Sequence, residues 1–108
     1  MKTSEDILNH IASDMNSMIK RPQMWADTPI GLETQYLGML ELVLFIRDIH
    51  VDRIIADWCK FAHRKIGFKG PEPVATYLKK NNMLNNSWGE LTELLSAFYS
   101  FMSLSSNG

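Results

Sequence analysis

Arg21-Pro22-Gln23-Met24-Trp25 constrains this chain more than any other stretch. It separates two apolar segments that both repeat at helical spacing. Proline cannot continue a helix, and it pushes the residue before it toward extended dihedrals. The two segments must therefore be separate helices joined by a corner. Met24 and Trp25 place two large apolar groups in a connection that would otherwise be polar. The sequence predicts that they plug one end of a helical core.

On one side of the corner, Ile7, Leu8, Ile11, Met15, Met18 and Ile19 share a face at 100° per residue, which predicts a helix from about Ser4 to Ile19. Thr3-x-x-Asp6 is a capping box for its start. Beyond the corner, Asp27-Thr28-Pro29 couples a capping side chain to a first-turn proline. The helix it opens continues through Leu32, Tyr36, Leu37, Leu40, Val43 and Leu44 toward Arg47, and Met39, Leu42, Phe45 and Ile46 make it apolar nearly all round. Such a helix is expected to be central and surrounded by others. Gly38 within it is expected where a neighbouring helix approaches closely.

Three further helices are predicted. Val51, Ile54, Ile55, Trp58, Phe61, Ala62 and Ile66 form a stripe that Gly67 should end. A short helix is expected from about Pro71 to Lys80. Ser87-x-x-Glu90 reads as a capping box for a last helix through Leu91, Leu94, Leu95, Phe98, Phe101 and Met102, with a fraying tail from Ser103. No alternating run flanked by hairpin turns suggests a strand. The expected architecture is all-α: a single compact domain, residues 1–108, of about five helices with helix two at its centre.

Composition narrows the function classes. The chain is 45% hydrophobic and 21% charged, which is ordinary for a folded domain. A single cysteine, Cys59, excludes an internal disulfide framework and a cysteine-rich zinc site. There is no HExxH motif and no glycine-rich phosphate loop. No metal and no cofactor is expected. The most apolar run, Leu37 to Ile46, is interrupted by Glu41 and falls short of the roughly 20 residues of a membrane span. Glu5 and Asp6 precede the first apolar residues, unlike a secretory signal. A cytoplasmic protein is the expectation.

The net charge of −1 conceals an uneven distribution. Residues 1–57 hold five Lys/Arg and nine Asp/Glu, a net of −4, whereas residues 58–80 hold six Lys/Arg and Glu72, a net of +5. The carboxylates Glu33, Glu41, Asp48, Asp52 and Asp57 read as solvated helical faces. Glu33, Glu41, Asp48 and Asp52 are the candidate surface for a basic protein partner, because surface charge steers association and sets specificity. Lys60, His63, Arg64, Lys65, Lys69, Lys79 and Lys80 are a candidate phosphate-contacting segment. A solvated face suits them better, since Trp58 and Phe61 on the same helix belong to the core. Cys59 and His63, four apart on one helix, would suit a thiolate or metal site. With no further ligands, an ordinary core-edge pair is the preferred account.

The order of elements resembles a widespread group of small bacterial helical proteins. They share a helix ending in Arg-Pro-x-Met-(aromatic), a short turn, an apolar helix, a later amphipathic helix with a tryptophan, and an apolar last helix. Arg21-Pro22-Gln23-Met24-Trp25, Thr28-Pro29, Leu32 to Ile46, Trp58 and Leu91 to Met102 occupy these places. Gln23 stands where the group usually has glycine, and Trp25 where it usually has tyrosine. DNA gyrase-type ATPases also carry an Arg-Pro-Gly-Met-Tyr string, but here the glycine and any phosphate loop are missing. Some members of the group resemble immunity proteins of polymorphic toxin systems, including contact-dependent growth inhibition. The resemblance implies a non-enzymatic protein that binds a cognate toxin domain, a nuclease, and blocks it by occlusion, with no membrane role. The alternative is a small regulatory or nucleic-acid-binding module using the basic stretch from Lys60 to Lys80.

Overall fold

The computed structural model describes residues 3–81 and 87–105. It contains five helices: α1 (Ser4–Lys20), α2 (Pro29–Ile46), α3 (Ile54–Ile66), α4 (Val74–Asn81) and α5 (Ser87–Ser105). No strand occurs among the described residues. The fold is all-α, as the periodicity predicts.

Local chemistry sets most of the boundaries. The Thr3 hydroxyl accepts from the Asp6 amide and the Asp6 carboxylate accepts from the Thr3 amide, each at 3.1 Å. These bonds satisfy two amides that lack helical partners. Thr28 caps α2 by accepting from the Gly31 amide at 3.1 Å. Gly67 closes α3 in the left-handed conformation, φ +74°, that glycine adopts without penalty. The corner is a single 3-10 turn, Pro22–Met24. Here the expected plug is half right. Trp25 packs against the core, donates its indole N–H to Ser17 Oγ at 3.1 Å, and accepts at its carbonyl from Gln35 Nε2 at 3.2 Å. It therefore ties α1 to α2. Met24 instead lies 77% exposed, because the tight turn faces it outward.

Two boundaries move from their expected places. The residues before Ile54 stay out of α3, since Arg53 is extended and offers no side-chain cap, and the Asp52 carboxylate is engaged by His50. The prolines at 71 and 73 stay outside α4, whose first amides are those of Val74 and Ala75. At the far end, α5 runs on through Ser103 to Ser105 rather than fraying. The Ser87 side chain, expected to cap it, lies outside the described residues, as does Asn82.

α2 is the central element, packing on each of the other four helices. Its Leu32, Leu37, Leu40 and Leu44 join Met15 and Met18 of α1, Trp58 and Phe61 of α3, Val74 and Leu78 of α4, and Leu91, Leu95 and Phe98 of α5 in one core. Trp58 and Phe61 each meet Phe98 in a tilted pair, with centroids 5.2 and 5.3 Å apart. At 18 residues and a mean hydropathy of 1.2, α2 is long and apolar enough to cross a membrane by length and composition. Its inner face belongs to this core, which accounts for part of that composition.

α2 is not surrounded, however. The molecule is a slab, 47 × 31 × 18 Å between principal extents. Helix axes pack about 8–10 Å apart, so 18 Å accommodates two layers, and every helix keeps an outer face. For α2 that face carries Leu42 and Phe45, 46% and 78% exposed. The same geometry leaves Gly38 open: a Cβ there would meet nothing within 4 Å, so no neighbouring helix accounts for this glycine.

Candidate functional site

The acidic candidates separate into one buried residue and three exposed ones. Glu33 is 6% exposed and cannot belong to a partner-binding surface. It shares a face of α2 with Tyr36, Leu37, Leu40 and Leu44, the face turned into the core. Its Oε2 accepts from Trp58 Nε1 at 3.0 Å and from the Val74 amide at 3.2 Å. Its Oε1 accepts from the Ala75 amide at 2.7 Å. The two amides belong to the first turn of α4, where backbone donors have no intrahelical partner and the helix dipole is positive. Glu33 is thus the N-terminal cap of α4, supplied from another helix.

Glu41, Asp48 and Asp52 do lie at the surface, around the end of α2. The chain leaves this helix through a Schellman closure. The Asp48 amide donates to the Phe45 carbonyl at 3.0 Å and the Ile49 amide to the Leu44 carbonyl at 2.8 Å. This closure requires a left-handed residue, and Asp48 takes φ +60° where glycine is the usual choice. The chain then runs through half-buried Ile49, exposed His50 and half-buried Val51 to Asp52. Asp52 Oδ1 holds His50 Nε2 at 2.7 Å.

These turns enclose a groove of about 530 Å³ lined by Gly38, Glu41, Leu42, Phe45, Asp48, Ile49, His50 and Val51. Its walls are apolar and its rim is acidic. The lack of a side chain on Gly38 opens its middle. The structure therefore brings Glu41 and Asp48 together, attaches Asp52 through His50, and adds Leu42 and Phe45. Helical spacing sets those two apart from the stripe of Leu32, Tyr36, Leu37, Leu40, Val43 and Leu44, but a helix surrounded by others would have covered them as well. Periodicity marks the inward stripe without showing that the opposite side is left to solvent.

The basic segment does not form one continuous stripe. Lys65 lies over the Phe61 ring, 5.6 Å from its centroid, and Lys80 pairs with Glu72 at 3.6 Å. Lys60, Arg64 and Lys69 line a different groove, beside the later part of α3. The thiol of Cys59 is pushed up from its ordinary value, first by burial and then by the negative charge of Glu33. Both effects oppose a thiolate. His63 Nδ1 lies 2.9 Å from the Phe68 carbonyl oxygen. A carbonyl only accepts, so that nitrogen carries the proton. The imidazole is committed to fastening the chain beyond α3. Among the described residues no three His, Cys, Asp or Glu side chains are placed to hold a metal ion.

Compared with protein-family models, curated proteins and solved structures, the chain matches none.

Proposed function

We propose that this protein is a binding module acting as an immunity protein: it captures a cognate toxin domain, a nuclease, through the acidic-rimmed groove at the end of α2, and blocks it by occlusion. The observation that carries this reading is Phe45. A phenylalanine 78% exposed beside the half-exposed Leu42 is an apolar anchor left mostly to solvent. Binding energy concentrates in such anchors when charged residues ring them. Glu41 and Asp48 at the rim, with Asp52 behind His50, complement an electropositive partner. The Arg-Pro-x-Met-(aromatic) resemblance supplies the class of partner. Occlusion requires no catalytic constellation.

Asp48 adds a distinctive signature. Its left-handed backbone would suit glycine better by roughly 1 kcal/mol. A carboxylate at a position that favours glycine is consistent with a role at the surface.

The test is binding to a toxin domain encoded beside this gene, read by association and dissociation rates at low and high salt. Phe45→Ser should raise the dissociation rate at least tenfold. Glu41→Lys with Asp48→Lys should slow association, most strongly at low salt. Asp48→Gly should weaken binding while leaving the fold as stable or more so. Wild-type binding by Phe45→Ser and by the acidic double variant together would remove this groove from the interface. Absence of any complex with the neighbouring gene product would reject the immunity reading.

A further inference from the structure

A second groove, of about 960 Å³, lies beside the later part of α3. Asp57, Lys60, His63 and Arg64 come from α3, and Lys69 comes from the chain that folds back beyond Gly67. Pro71 and Phe101 add exposed apolar surface, with Phe68 and Met102 largely buried behind them. Its size falls in the range of sites that enclose small organic molecules.

Charge in this groove is one-sided. Three fixed cations, Lys60, Arg64 and Lys69, against the single carboxylate of Asp57 leave a surplus of two positive charges. Among the described residues none of these three cations enters an ion pair. Arg64 is steadied instead by the Phe101 ring, with its guanidinium carbon 5.0 Å from the centroid. His63 spends Nδ1 on the Phe68 carbonyl, which leaves Nε2 as the nitrogen open to a ligand. The Phe101 ring is itself 38% exposed.

A bare anion would use the charge and leave the apolar wall wet. A neutral apolar molecule would desolvate cations without compensating them. We infer that this groove binds a small organic phosphomonoester, with its phosphate among Lys60, Arg64 and Lys69 and its apolar or aromatic body against Phe101 and Pro71. A phosphomonoester carries about −1.5 to −2 charges at neutral pH, matching the surplus. Arginine and lysine are the residues that recognise this group. The inference is independent of the groove at the end of α2.

The experiment is calorimetric titration of the whole protein with 1-naphthyl phosphate, and with inorganic phosphate and 1-naphthol as its two halves. The expected result is one-to-one binding of naphthyl phosphate, at least tenfold tighter than either half. Lys60→Glu with Lys69→Glu should abolish it, Phe101→Ala should weaken it several-fold, and Lys79→Glu, outside the groove, should leave it unchanged. Circular dichroism of each variant separates lost binding from lost folding. Adenosine monophosphate and octyl phosphate then distinguish a nucleotide from an alkyl phosphate as the natural source, and the tighter one identifies it. No heat at millimolar naphthyl phosphate, or undiminished binding by the Lys60/Lys69 variant, would overturn the inference. So would tighter binding of a single-stranded oligonucleotide that Lys79→Glu also weakens, since that describes an extended nucleic-acid face.

Discussion

Truncating Glu33 to alanine removes one side chain and strands three donors. The α4 amides of Val74 and Ala75 lose their acceptor, and Trp58 Nε1 is left in the core. Loss of a helix cap costs about 1 kcal/mol. A buried donor without a partner costs about 1–3 kcal/mol, and Trp58 is only 1% exposed, so water cannot replace the carboxylate. Together these give about 2–4 kcal/mol, overlapping the roughly 3–5 kcal/mol lost when one member of a buried charged network is removed. A domain of this size has about 5–15 kcal/mol in all, so Glu33→Ala should remove a large share of the stability and visibly lower the urea midpoint. Glu33→Gln is the sharper probe. It keeps the shape and one acceptor oxygen, but turns an NH2 group toward N–H donors, and should cost about 1–3 kcal/mol. Urea unfolding followed by tryptophan fluorescence and by circular dichroism measures both. In a double-mutant cycle with Trp58→Phe, which removes the indole donor, the two substitutions should be strongly non-additive. If Glu33→Ala cost under about 1 kcal/mol, or the cycle closed additively, the cross-helix cap would carry no energy and the reasoning would fail.

Three further outcomes are expected. Leu95→Ala, at a fully buried position on α5, should destabilise by about 2–5 kcal/mol in the same assay; a loss near zero would contradict its place in the core. Burial, and secondarily the phenol of Tyr99, raises the Tyr36 hydroxyl well above its ordinary value. The unfolded chain therefore releases this proton first, from about pH 10, and the associated stability is lost as pH rises beyond that point. Tyr36→Phe should flatten the fall of the urea midpoint between about pH 9 and 11, and an unchanged slope would reject the assignment. Cys59, its thiol raised, should react with iodoacetamide near pH 7.5 more slowly than a small free thiol; faster alkylation would reopen the thiolate reading.

The helices were legible because their apolar residues recur at three and four, and because Thr3, Thr28 and Gly67 announce their own ends. The inward stripe of α2 was legible too: Leu32, Tyr36, Leu37, Leu40, Val43 and Leu44 follow the helical spacing and are all buried. With apolar side chains on the other side as well, the spacing could not say that Leu42 and Phe45 face water rather than another helix. That decision belongs to the slab, a tertiary property. Glu33 was misread for a related reason: as an isolated residue a glutamate belongs outside. A signal was present, since Glu33 precedes Tyr36, Leu37 and Leu40 by three, four and seven, which places it within the buried stripe. Of the candidate site, the sequence supplied the charges of Glu41, Asp48 and Asp52. It could not supply the apolar anchor between them, nor the left-handed closure that carries Asp48.

The cap on α4 also bears on how relatives of this chain could be found. Glu33 lies 25 residues before Trp58 and 41 before Val74, so one side chain fixes three distant parts of the sequence. Replacing Glu33 leaves the Trp58 indole and both α4 amides without their acceptor, whereas replacing Trp58 leaves the carboxylate its two amide donors. Wherever a tryptophan fills this place the glutamate should therefore accompany it, while the glutamate can persist without the tryptophan. A glutamate inside the apolar stripe of one helix, a tryptophan in the next, and a proline just ahead of a short third helix together encode this packing. That combination, added to the corner, is a pattern by which distant proteins sharing the fold can be sought.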